Sequence, residues 1–93
     1  MANGNIETLY NGTTIAAARG GRLEMLQWLR RPEDPCPWNE GACATAAQSG
    51  HLEVLQWLRA NGCPWDQYTT RDAACRGNLK MLQWLRRPED PCP

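Results

Sequence analysis

The chain has 93 residues, 42% of them hydrophobic, and its ten Lys plus Arg balance ten Asp plus Glu. A domain of this size buries about two-thirds of the surface its unfolded chain exposes, and the balanced charge supplies no field to draw it to nucleic acid or an acidic membrane. No basic leader precedes an apolar core and no run approaches the ~20 apolar residues of a membrane span, so a soluble, unsecreted protein is expected, cytoplasmic or else nuclear. Its five cysteines, an odd number without a C-x-x-C pair, fit a reducing compartment.

In chain order, residues 1–8 form a lead-in and three related units follow, at 9–37, 38–64 and 65–93. The first carries Ala17 and Ala18, then GRLEMLQWLR (21–30) and the connector RPEDPCP (31–37). The second carries Ala46 and Ala47, then GHLEVLQWLR (50–59) and a connector two residues shorter, ANGCP (60–64). The third has Ala73 and Ala74, GNLKMLQWLR (77–86) and RPEDPCP again, so that MLQWLRRPEDPCP recurs letter for letter at 25–37 and 81–93. Leu23, Leu52 and Leu79 mark the register, with steps of 29 and 27 residues.

Each unit reads as two helices. CATAAQS (43–49) and TRDAACR (70–76) are short helices whose alanines permit close backbone approach, the second with Thr70 as its expected N-cap. The following helix confines its polar positions to Glu53, Gln56 and Ala60, while Leu52, Val54, Leu55, Trp57 and Leu58 take most of the remaining circumference. Such a helix has to be covered on several sides. Gly21, Gly50 and Gly77 break the chain before it and connector prolines stop it. A pair of this kind cannot bury its apolar face alone, so the units are expected to stack into an all-α array.

Trp28, Trp57 and Trp84 share one position, which points to core packing rather than an aromatic ligand box. Trp38 and Trp65, each after Cys-Pro, are expected to fold over the edge of the helix layer. Cys36, Cys63 and Cys92 also share a position. Equivalent positions in stacked helices lie about 8–10 Å apart, beyond the ~7 Å Cα separation of a disulfide, so these are read as small buried residues. Cys43 and Cys75 fall at other offsets on the first helix and need no site. His51 stands in the turn between helices, with no Ser or Asp constellation beside it, and is read as structural or solvent-facing. The RRPED segments (30–34 and 86–90) place Arg beside Glu and Asp and read as solvated connectors, not a phosphate grip. No catalytic, metal or cofactor-binding residue is assigned.

AAQSGHLEVLQWLRANGC (46–63) resembles the ankyrin repeat. Ala46 and Ala47 match its alanine pair, Gly50 and His51 its inter-helix turn, Val54 and Leu55 its aliphatic pair, Trp57 and Leu58 its Leu-rich stretch, and Gly62 and Cys63 its Gly-Ala. The other copies keep Gly but have Arg22 and Asn78 for His. The units are four to six residues shorter than the family's usual length of about 33 and lack its Thr-Pro-Leu-His segment. From Gly62 to Ala73 there are eleven positions, too few for the family's protruding β-hairpin. GCPWD (62–66) is similar to short, Trp- and Cys-rich ankyrin-like repeats, and the resemblance, covering about residues 9–93, implies a helical solenoid used for protein recognition.

Compared with one another, the three copies hold the second helix nearly constant and vary the first. Ile15, Ala44 and Arg71 are equivalent, as are Ala16, Thr45 and Asp72, then Arg19, Gln48 and Cys75. The residues assigned to a protein partner are therefore Glu40, Ala44, Gln48, Gln67, Tyr68, Arg71, Asp72 and Arg76. Tyr68 and Arg71 are the expected anchors, because aromatic and Arg side chains dominate hot spots. The expected function is a non-enzymatic interaction scaffold, either monomeric or associating end to end through uncapped terminal units. Pro93 stands one residue short of the expected Trp, which raises the alternative of a piece of a longer array without independent activity. A Cys-based metal or redox module is the remote alternative.

Overall fold

The computed structural model describes residues 4–33, 35–87 and 91–93, with side chains for 12–33, 35–87 and 91–93. Among these residues the chain is all-helical, with no strand: α1 (Gly4–Arg19), α2 (Leu23–Leu29), α3 (Glu40–Ser49), α4 (Leu52–Ala60), α5 (Gln67–Arg76) and α6 (Leu79–Leu85). They form consecutive pairs, with α1 against α3 and α3 against α5, in a body of 44 × 23 × 21 Å. None of the described helices is long and apolar enough to cross a membrane. α1 begins inside the stretch expected to be a lead-in.

Helices α3 and α5 start three residues earlier than the alanine-rich segments suggest. Asn39 Oδ1 accepts from the Gly41 N–H at 2.8 Å, and Asp66 Oδ1 from the Tyr68 N–H at 3.0 Å, each satisfying a donor that the helix start leaves orphaned. Thr70 is therefore not a cap. It lies inside α5 and its hydroxyl donates to the Pro93 carbonyl at 3.3 Å, as Thr14 donates to Pro37 at 3.1 Å.

The alanine pairs and the glycines work together. Gly21, Gly50 and Gly77 have φ of 69°, 80° and 76°, left-handed values that cost glycine nothing. The turned N–H groups then bond back to the alanine carbonyls: Gly50 to Ala47 at 3.1 Å and His51 to Ala46 at 2.9 Å, with the same pairing at Ala17/Ala18 and Ala73/Ala74. This Schellman closure satisfies carbonyls that the helix end would otherwise strand. Five of the six alanines are buried, which fixes how close the helices approach.

The second helix of each pair ends in a clamp. The N–H groups of Cys36, Cys63 and Cys92 donate to the carbonyls of Leu29, Leu58 and Leu85 at 2.7, 2.9 and 2.8 Å, so the two-residue length difference is absorbed inside the connector. Onto each Cys carbonyl a guanidinium then closes: Arg30 on Cys36, Arg59 on Cys63 at 2.6 Å, Arg86 on Cys92 at 3.3 Å. Arg30 also lies 3.8 Å over the Trp38 ring and Arg59 lies 4.3 Å over Trp65, in each case the Trp of the following unit. The reading of RRPED as a solvated connector is thus overturned at Arg30, and the second arginines stack too, Arg31 over Trp28 at 4.1 Å and Arg87 over Trp84 at 3.9 Å. Asp34, Pro88, Glu89 and Asp90 of those segments lie outside the described residues.

The core runs through Leu26, Leu29, Val54, Leu55, Leu58, Met81 and Leu85, with the buried alanines and Cys43, Cys63 and Cys92. Truncating the fully buried Leu58 to Ala is expected to cost about 2–5 kcal/mol, through lost transfer energy and the cavity left behind. The tryptophans are not at its centre, contrary to the expectation from their shared position. Trp57 and Trp84 are half-buried, edge-on to Trp38 and Trp65 at 6.0 and 5.7 Å between centroids, whereas Trp28 is 59% exposed. Trp38 and Trp65 are half-buried too, packed against the core and against the rings of Trp57 and Trp84.

Candidate functional site

Residues spaced by four recur on one face of a helix. Glu40, Ala44 and Gln48 thus form one stripe along α3, and Gln67, Arg71 and Cys75 form the equivalent stripe on α5, which packs alongside. Of these, Glu40, Gln48, Gln67, Arg71 and Cys75 are exposed and Ala44 is half-buried.

Tyr68 is 47% exposed, and the Arg71 guanidinium lies 4.6 Å above its ring. The same guanidinium, itself exposed, reaches Asp72 at 3.4 Å, a solvent-screened pair that contributes little to stability. Asp72 is half-buried and so offers a partner less surface than expected. Tyr68 takes the position that is Gly41 in the preceding unit, where a Cβ would come within 3.1 Å of Ile15. Ala44, at the position of Ile15, is small enough for α5 to carry a tyrosine in that register. Ala44 is thus explained by packing more than by contact with a partner.

Arg76 turns out to belong to the joint between units. Its Nη1 donates to the Gln48 carbonyl at 3.4 Å and its guanidinium lies over Gly50. His51 does the same one unit earlier: its Nε2–H donates to the Arg19 carbonyl at 3.0 Å while its ring covers Gly21. A donor at the C-terminal end of a helix meets unsatisfied carbonyls and the negative end of the macrodipole. His51 is accordingly structural, as expected of its place in the turn.

All five cysteines are free. Cys63 and Cys92 are buried as small residues, their thiols donating to the Asn39 and Asp66 carbonyls at 3.5 and 3.4 Å, while Cys36 is half-buried. Cys43, to which no contact was assigned, occupies the place of Thr14 and Thr70, and its thiol shares a hydrogen bond with Cys63. That bond, then burial, pushes the Cys43 thiol above its ordinary pKa, and burial does the same to Cys92. Both are held as neutral thiols, the opposite of an activated nucleophile. Among the described residues no three His, Cys, Asp or Glu side chains form a group that could hold a metal ion.

No protein-family model, curated protein or solved structure matches the chain. Sequence reasoning missed the arginine clamp, although Arg30, Arg59 and Arg86 are identical in all three copies.

Proposed function

We propose that the chain is a non-enzymatic protein-interaction scaffold, an ankyrin-like solenoid of three helix–turn–helix units that binds a protein partner across α3 and α5. The observation that carries this reading is the exposed Tyr68–Arg71 stack, its tyrosine standing where the preceding unit has Gly41, on helices that bury Ala42, Ala46, Ala47 and Ala73 in the core. A rigid aromatic with an arginine over it offers apolar area and directional donors at low entropy cost, the composition of interface hot spots. Glu40, Gln48 and Gln67 supply a polar surround of the kind that rims such a centre. The Schellman turns at the alanine pairs and the guanidinium clamps give this face a rigid backing. Side-by-side proximity labelling or pull-down with the parent and with Tyr68→Ala/Arg71→Ala is the test. A protein enriched with the parent and lost with the double variant is expected, and equal recovery refutes the assignment of this face.

A further inference from the structure

Equivalent positions in the three units differ in exposure in a way that tracks which neighbour is present. Met25, Val54 and Met81 share one position, and they are 48%, 2% and 0% exposed. Val54 and Met81 have a preceding unit against them, whereas among the described residues no other unit stands against Met25 on that side. Thr13, Ala42 and Thr69 repeat the pattern on the first helices, half-buried in the first unit and fully buried in the other two.

At the other end the pattern inverts. Ala18 and Ala47 are fully buried while Ala74 is exposed, and Leu23 and Leu52 are half-buried while Leu79 is 66% exposed. The glycine turns agree. A Cβ on Gly21 would strike the His51 ring at 2.8 Å and one on Gly50 would strike Arg76 at 2.4 Å, but one on Gly77 would meet nothing within 4 Å. Two open grooves, of about 530 and 260 Å³, lie at the α1–α2 end and share Arg22 and Met25.

Each bare position at one end of the body is the counterpart of a surface that is covered inside it, and the bare surfaces of the two ends are the two sides of that internal joint. We infer that two copies of the chain stack head to tail, the α1–α2 end of one against the α5–α6 end of the next, continuing the joint between units. Met25 of one copy packs toward Leu79 and Ala74 of the other. Arg22, exposed and at the position of His51, covers Gly77 and donates to the Cys75 carbonyl, as His51 does to Arg19. A heterologous contact has no two-fold partner to stop it, so association continues with concentration until a rotation closes a ring or the array stays open. It uses the ends of the body and leaves the α3–α5 face free, so it stands apart from the proposed partner binding.

Sedimentation velocity across micromolar to near-millimolar concentrations tests it. The parent is expected to grow steadily in mass, while Met25→Asp and Leu79→Asp, each keeping one intact end, stay monomeric. An equimolar mixture of these two variants is expected to give a one-to-one dimer and no larger species, because one good end remains on each. Asp is tolerated at both sites, which lie in the first turn of their helices, and circular dichroism checks the folding of both. A parent that stays monomeric throughout overturns the inference, with no variant needed. So does a mixture that fails to pair while the parent associates, which is the signature of a two-fold interface.

Discussion

Replacing Arg59 by Met removes a guanidinium while keeping most of its aliphatic stem, and isolates what the clamp contributes. In the structure that guanidinium donates to the Cys63 carbonyl at 2.6 Å and lies 4.3 Å over Trp65, whose ring is edge-on to Trp84. A hydrogen bond from a charged donor contributes about 1.5–3 kcal/mol, and a partly exposed cation–π contact adds about 0.5–1 kcal/mol. The expected loss is therefore about 2–4 kcal/mol, or a fall in Tm of roughly 10–30 °C for a domain of this size. Arg59→Lys keeps the charge but not the planar fork, and should recover less than half of it. Urea denaturation with Trp fluorescence is the assay, and a cycle with Trp65→Leu should show coupling of about 0.5–1 kcal/mol. Arg31→Met is the control, since Arg31 stacks on the exposed Trp28. A loss at Arg59 no larger than at Arg31 would refute the clamp.

Other expectations come from particular side chains. Thr69 is fully buried and its hydroxyl has no hydrogen-bond partner among the described residues, so Thr69→Val should raise stability by about 1 kcal/mol in thermal unfolding. Gly50→Ala should cost more than Gly77→Ala in dilute solution. Both force a left-handed backbone, but only Gly50 also displaces Arg76; equal losses would deny the clasp over Gly50. Trp57→Ala should destabilise by several kcal/mol and Trp28→Ala by much less, because Trp57 packs on Trp38 whereas Trp28 is mostly exposed. The raised pKa of Cys43 means the folded chain binds that proton more tightly than the unfolded chain. Its contribution is complete below the ordinary thiol value of 9.0 and is lost as pH rises beyond it, by at most about 1.4 kcal/mol per pH unit. Urea melts from pH 7 to 10 should show the decline, shallower in Cys43→Ala.

The second helix of each unit was legible because its pattern is local: Glu53, Gln56 and Ala60 fall on one stripe and are the exposed positions of α4. The glycine breaks were equally plain, since one recurs before each such helix, and the left-handed φ at each gives the reason. The tryptophans were misjudged because identical letters do not have identical neighbours. Trp57 and Trp84 each find another Trp edge-on, while Trp28 has no such pairing among the described residues. The starts of α3 and α5 were missed because Asn39 and Asp66, each following Pro-Trp, act as caps that the alanine segments do not announce. Among the candidate site residues, chosen because the copies vary there, Glu40, Gln48, Gln67 and Arg71 are exposed. Arg76 and Ala44 owe their identities to contacts between units, which appear only once the units are stacked.

The most direct test of the account is the affinity of an isolated protein partner for the parent and for Tyr68→Ala/Arg71→Ala, measured by titration calorimetry. If this face is the binding surface, the double variant should lose at least ~30-fold in affinity, the scale of a hot-spot truncation, while Leu79→Asp binds as the parent does. Equal affinities for parent and double variant would contradict it.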